Sequence, residues 1–143
     1  MYIIIIGAGR TGSRLAGQFS QEENEVVVVD KKNECLQQMP AGFSGFSIEG
    51  NALEHGTLER AGMDKADLVV VTTDKDKVNY MITRMARDIY EAPLVLVRVI
   101  DPRREQMFFD LERVEVYSQI SLLVESLLER VNELAAKKQG DQR

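Results

Sequence analysis

Gly7-Ala8-Gly9-Arg10-Thr11-Gly12 follows an apolar run, Ile3-Ile4-Ile5-Ile6, and precedes a segment with helical patterning. The chemistry this order supports is anion binding. Gly7 permits a sharp turn, Gly9 lets the backbone come close to a pyrophosphate, and Gly12 lets a helix pack tightly on its strand. The helix that starts here presents unpaired N–H groups and the positive end of its dipole. The dipole alone favours an anion by about 0.3–1 kcal/mol at a surface and up to about 2 kcal/mol when partly buried. The segment reads as a cradle for nucleotide phosphates.

A second apolar run, Val26-Val27-Val28-Val29, ends at Asp30, about twenty residues after the glycine turn, where a dinucleotide fold places its ribose-binding acid. A carboxylate at that strand end accepts hydrogen bonds from ribose hydroxyls, each worth about 1.5–3 kcal/mol. It also repels a 2′-phosphate, which favours NAD or an adenosine phosphate over NADP, while Lys31 and Lys32 offset part of that repulsion. The competing reading is a nucleotide-free domain of the same winding in which Asp30 only caps the next helix.

Residues for catalysis are sparse. His55 is the only histidine and falls at a predicted helix start, where a solvent-facing or capping role is expected. Asp74 and Asp76 resemble a carboxylate pair but are read as the N-cap and first-turn acid of a helix. No Ser/His/Asp order, metal-ligand spacing or Walker A pattern accompanies them. Cys35, the single cysteine, is expected to be a half-buried structural thiol on a short helix. A small NAD-dependent oxidoreductase remains the alternative class; the expectation is a binding protein, not an enzyme.

The elements that must position these residues alternate along 143 residues, a length suited to one domain. Predicted strands are Tyr2–Ile6, Glu25–Val29, Phe46–Glu49, Asp67–Thr73, Leu94–Ile100 and Val114–Tyr117, and most are continuous Val and Ile runs of the kind buried in parallel sheets. Helices are expected after the glycine turn, around Cys35, over Leu53–Ala61, and through Asn79, Met81, Ile82, Met85, Ala86 and Ile89 up to Pro93. Asp101-Pro102 begins another, as N-cap and first-turn proline. The expected fold is α/β, a Rossmann-like doubly wound and mainly parallel six-stranded sheet over residues 1–118.

Residues 119–143 form a C-terminal helix and tail, with Gly140 ending the helix. Ile120, Leu123, Leu127, Val131 and Leu134 make one apolar set, and Leu122, Val124 and Leu128 a second. One set can cover the domain and the other then requires self-association; a helix buried broadly on its own sheet is the alternative.

Hydrophobic residues make up 44% of the chain and charged ones 29%, an ordinary globular balance, and the net charge is −5. With no basic stripe carrying interleaved aromatics, nucleic acid is disfavoured as a partner. The apolar runs are strand-sized and no secretory pattern precedes the first, so a soluble cytoplasmic protein without membrane insertion is expected.

Several segments together resemble the N-terminal domain of RCK proteins, the regulators of potassium conductance also described as TrkA-like or KTN domains. They are Gly7-Ala8-Gly9-Arg10-Thr11-Gly12; Asp30; Gly50-Asn51-Ala52; Leu58-Glu59-Arg60-Ala61-Gly62-Met63 with Ala66-Asp67; Thr73-Asp74-Lys75-Asp76-Lys77-Val78-Asn79; and Val97-Arg98-Val99-Ile100-Asp101-Pro102.

The resemblance implies a cytoplasmic regulatory subunit that assembles as a homo-oligomer, a dimer or a ring, and gates a membrane potassium channel or transporter in response to NAD, NADH, ATP or ADP. Such a subunit sits at the membrane only through its partner. The glycine turn, including Ala8 and Thr11, would hold the phosphates with help from Arg10. Asp30 would hold the ribose, with Lys31 near the adenosine and Asn51 and Ala52 beside the base. Thr72 and Thr73 would line the cleft, and Arg98 would face the phosphates or a neighbouring subunit. The family usually has aspartate where this chain has Asn51, whose amide both donates and accepts. Many relatives continue into a separate C-terminal ligand-binding lobe, whereas this chain stops at Arg143. That lobe is expected on another polypeptide, or dispensable, or absent from a shortened chain. An adaptor of the same fold for a different transporter is the third reading.

Overall fold

A computed structural model describes residues 1–142. In chain order the elements are β1 (Tyr2–Ile6), α1 (Arg10–Gln21), β2 (Glu25–Asp30), α2 (Asn33–Gln37), β3 (Phe46–Glu49), α3 (His55–Arg60), β4 (Leu68–Val71), α4 (Asp76–Asp88), β5 (Val95–Val99), β6 (Val114–Ser118) and α5 (Gln119–Asp141). Short 3-10 segments at Met63–Lys65 and Pro102–Phe108 precede β4 and β6. The second replaces the helix expected after Asp101-Pro102. Its cap is as expected, since the Asp101 carboxylate accepts from the Arg103 amide at 3.1 Å.

The six strands form one sheet in the order β3-β2-β1-β4-β5-β6. Every pairing is parallel, so the sheet is wholly rather than mainly parallel. β1 lies at the centre, with Ile4 in register with Val27 on one side and Val69 on the other. Side chains of successive strand residues point to opposite faces, and each face carries its own core. Ile4, Ile6, Val27, Val29, Val69 and Val71 pack against Leu58, Met63, Ile82 and Phe108. Ile3, Ile5, Val26, Val28 and Val70 pack against Ala16, with Leu15, Phe19 and Leu36 at its margin. Ile3 to Ile6 are each at most 1% exposed, and burying one such side chain stabilises the fold by about 1.5–3 kcal/mol.

From β1 the chain winds outward first to β2 and β3, then back across to β4, β5 and β6. Strand order reverses between β1 and β4, and the connections leaving their carboxyl ends part to opposite faces. A crevice opens there, the usual ligand position in an open parallel sheet.

α5 departs from expectation. Its Gly140 lies within the helix, which runs on to Asp141, and none of its residues is buried. Ser118 caps it by accepting from the Ser121 amide, and Ser121 donates to Glu105 at 2.7 Å. Beyond this first turn neither apolar set covers the domain. Ile120, Leu123, Val124, Leu127, Leu128, Val131 and Leu134 are all exposed. At about 100° per residue they fall within a single arc of roughly 140°, with Leu122 apart behind it. The expectation of broad burial on its own sheet is therefore overturned.

Candidate functional site

Gly7 follows β1 with φ +102°, and its amide donates to the Val29 carbonyl of β2 at 2.8 Å. A side chain there would press on the Thr72 backbone at 2.9 Å, so the turn requires glycine. Gly12 is buried in the first turns of α1, where a Cβ would collide with the Gly7 carbonyl oxygen. Both glycines serve the close approach of helix to sheet. Gly9 differs, because a Cβ added to it would meet nothing within 4 Å. It is the N-cap of α1, no side chain caps the helix, and its first turn carries no acidic residue. The leading amides of α1 thus keep their capacity to bind an anion.

Asp30 closes the other side. One carboxylate oxygen accepts from the Ala8 amide at 2.8 Å and the other from the Lys32 amide at 2.8 Å. Each oxygen retains a lone pair for a hydroxyl donor. The residue therefore joins the glycine turn to the start of α2, whose N-cap is Lys32 rather than Asp30.

Across the switch point, Arg98 extends from β5 and donates to the carbonyls of Thr72 at 2.9 Å and Thr73 at 2.7 Å. Among the described residues it has no carboxylate partner, and its Nε–H is buried without an acceptor. A buried donor left unpaired costs about 1–3 kcal/mol.

Asn79, fully buried on α4, sets the loop beneath. Its side chain accepts from the Thr73 amide at 3.2 Å and from the Thr73 hydroxyl, and donates to the carbonyls of Thr73 at 3.1 Å and Arg98 at 3.0 Å. Asp76, 4% exposed, accepts from the Ile100 and Asp101 amides at 2.7 and 3.0 Å. It is a first-turn acid of α4 as expected, but the N-cap is Lys75 and not Asp74.

The glycine turn, Asp30, the Thr72–Thr73 loop and Arg98 converge on one cavity of about 250 Å³. Of the residues singled out above, Gly7, Gly9, Asp30, Lys31, Asn51, Ala52, Thr72, Thr73 and Arg98 line it. Ala8, Arg10, Thr11 and Gly12 do not. Ala8 is buried with its amide on Asp30, and the Arg10 side chain is exposed. Gly50, Leu53, Val78 and Ile82 line it as well, as do the charged rim residues Lys32, Asp74 and Lys75. The spacing of Val78 and Ile82, one helical turn apart, was the available signal for a partly apolar wall. Asn51 makes a local turn, its side-chain oxygen accepting from the Leu53 amide at 3.0 Å. An adenine nucleotide fits these groups: uncapped helix amides for phosphate, a carboxylate to accept from ribose, and a guanidinium with no carboxylate partner among the described residues.

His55 lies away from this cavity, beside the Tyr90 hydroxyl at 3.3 Å. Among the described residues no cluster of His, Cys, Asp and Glu could hold a metal ion, and no helix is long and apolar enough to cross a membrane.

A family model described as the TrkA-N domain matches residues 3–119. The chain is 28% identical over 127 residues to the "Trk system potassium uptake protein TrkA homolog" of Pyrococcus horikoshii, covering 89% of this chain and 56% of that protein. It is 31% identical over 108 residues to the TrkA of Streptomyces coelicolor, covering 76% of this chain and 48% of that one. The chain thus spans about half the length of these curated relatives. Among solved structures, the TrkA-N domain of the inner membrane protein ybaL from Escherichia coli superposes with TM-score 0.79 at 16% identity, covering 90% of this chain and 94% of that one. The GsuK channel bound to NAD superposes with TM-score 0.74 at 24% identity, covering 92% of this chain and 24% of that one. A GsuK structure bound to ADP gives TM-score 0.73 at 24% identity, covering 90% and 34%.

Proposed function

The chain belongs to the TrkA-N domain family, and from that premise we propose that it is a nucleotide-sensing cytoplasmic regulatory subunit that gates a membrane potassium channel or transporter. One observation carries the reading. The uncapped N-terminus of α1, the Asp30 carboxylate and the Arg98 guanidinium, which has no carboxylate partner among the described residues, border a single crevice, complementary to phosphate, ribose and further negative charge. The ligand is an adenine nucleotide, NAD(H) or ATP/ADP. Gly9, Asp30, Lys31, Asn51, Ala52, Thr72, Thr73 and Arg98 contact it directly, with Gly7 and Gly12 holding the turn and Ala8, Arg10 and Thr11 supplying the helix start.

The role is binding rather than turnover. Residues 1–118 form the sensing domain and residues 119–143 the assembly element, in which the apolar face of α5 is covered by another copy of the chain. Nucleotide can shift such an assembly only through its different affinity for two arrangements, and the α1 and α4 termini that border the crevice are where the difference is read.

A ligand at a hundred times its dissociation constant stabilises its target by about 2.7 kcal/mol. Melting of ligand-stripped protein with NAD, NADH, ATP and ADP tests the sensor, and capture of a potassium-transporting membrane protein by the tagged chain tests the partner. No shift with any of them contradicts the first. Recovery of only an unrelated carrier contradicts the second and favours an adaptor of the same fold. Oxidation of NADH in the presence of carbonyl substrates would contradict the non-catalytic role.

A further inference from the structure

We infer that α5 pairs with α5 of a second copy as a parallel, two-stranded coiled coil. The inference rests on the self-association reading above and goes beyond it, to how the two copies are oriented.

Ile120, Val124, Leu127, Val131 and Leu134 recur at spacings of four, three, four and three residues, the repeat of a coiled-coil seam. In heptad notation Ile120, Leu127 and Leu134 are d positions, and Val124 and Val131 are a positions. β-Branched residues at a with leucine at d favour two parallel strands. All five are exposed in the single chain, and no residue of α5 is buried. The next a position, Lys138, closes the seam in the last turn, where its ammonium reaches water.

The flanks of the seam decide the orientation. Leu123, Arg130 and Lys137 are its g positions, and Ser121, Leu128 and Ala135 its e positions. Parallel strands set a g residue of one helix beside an e residue of the following heptad on the other. Leu123 then meets Leu128 of the second copy, and the apolar stem of Arg130 lies over Ala135. This accounts for two exposed leucines that lie outside the a and d seam. Antiparallel strands instead set g against g. With Val124 stacked on Leu134 and Leu127 on Val131, Arg130 would face Arg130 of the other copy and Leu123 would face Lys137, so that like charges meet across the seam.

The start of α5 is fixed to its own domain by the Ser118 cap and by the Ser121 hydroxyl on Glu105. Parallel pairing therefore carries both sensing domains side by side at one end of the paired helices, whereas antiparallel pairing would hold them at opposite ends.

Sedimentation equilibrium of the full chain gives the number of strands, and electron–electron spin distances give their direction. Labels are placed at Glu125→Cys or Gln139→Cys, each with Cys35→Ser; both sites are exposed b positions two heptads apart. A dimer with the same label-to-label distance at the two sites, to within about 5 Å, is expected. At a rise of about 1.5 Å per residue, antiparallel helices would give distances that differ by about 10 Å or more. A second measurement needs no label. Leu123→Glu and Leu128→Lys should each weaken the dimer at least about tenfold, and the two together should recover most of that loss, since parallel strands place the new charges side by side. Unequal distances, a trimer or tetramer, or no recovery in the double variant would overturn the parallel pair while self-association stands. A parent chain that is monomeric at tens of micromolar would overturn both.

Discussion

The Asp30 carboxylate at the end of β2 accepts the backbone amide of Ala8 at 2.8 Å, across 22 positions of sequence. The same side chain accepts the Lys32 amide at 2.8 Å. One residue therefore holds the glycine turn and the entry to α2 together while keeping lone pairs for a ligand. Asp30→Ala should cost about 1–3 kcal/mol even without nucleotide, a fall of about 2–4 °C in Tm per kcal/mol, and should weaken nucleotide binding as well. Unchanged melting of the ligand-free variant would show that the turn does not depend on this bond.

Gly9 and Gly12 should separate binding from stability. Gly12→Ala drives a Cβ into the Gly7 carbonyl and should destabilise the fold by about 1–3 kcal/mol or more. Gly9→Ala meets nothing within 4 Å, and alanine's weaker N-cap preference is offset in part by the smaller entropy of its unfolded chain, so the variant should melt within about 1 kcal/mol of the parent. Yet its methyl group stands where phosphate is expected, so affinity for ADP should fall at least about tenfold, by titration.

Asn79→Leu removes a side chain that partners the amide and carbonyl of Thr73 and the carbonyl of Arg98. Leaving these groups unpaired in the interior should cost about 2–5 kcal/mol, read by urea unfolding. A loss below about 1 kcal/mol would mean that the loop finds other partners.

Tyr2 supplies a pH signature. Its hydroxyl donates to the Ala61 carbonyl at 2.7 Å, and burial, with the charges of Glu25 and Asp64, raises its pKa above the usual 10.0. The folded state therefore holds this proton more tightly than the unfolded chain. The contribution is complete below pH 10 and is lost as pH rises through the folded-state value. Tyr2→Phe should lower stability at neutral pH and flatten the alkaline decline, which melting curves against pH will detect.

α5 exposes seven apolar side chains along one face, from Ile120 to Leu134. If another copy covers them, Leu127→Glu and Val131→Glu together should give a monomer by sedimentation equilibrium, with the nucleotide affinity of the sensing domain retained. A parent chain already monomeric at tens of micromolar would contradict that role.

How much of this was legible follows from which contacts are local. The runs Ile3–Ile6 and Val26–Val29 announced central parallel strands because such strands are buried on both faces, and Gly7, Gly12 and Asp30 fell where a strand–turn–helix–strand unit demands them. Asp101-Pro102 revealed a cap, but local pattern does not separate a 3-10 segment from an α-helix. Asp74 looked like the better cap of α4. Instead Asp76 reaches amides at the end of β5, a pairing visible only after the sheet is assembled. Asn79 was hidden for the same reason, since a polar residue inside a helix gives no sign that it is fully buried. The apolar stripe of α5 was readable, but not that the domain leaves it uncovered. Gly140 did not end that helix, as an exposed helical glycine costs only about 1 kcal/mol.

The central claim is that the start of α1 grips the phosphates of an adenine nucleotide, and backbone amide NMR of the chain titrated with ADP addresses it residue by residue. The largest shifts should fall on Gly9, Arg10, Thr11 and Gly12, with smaller ones at Lys31, Thr73 and Arg98. Saturable shifts that cluster elsewhere, with the Gly9–Gly12 amides unmoved, would contradict it.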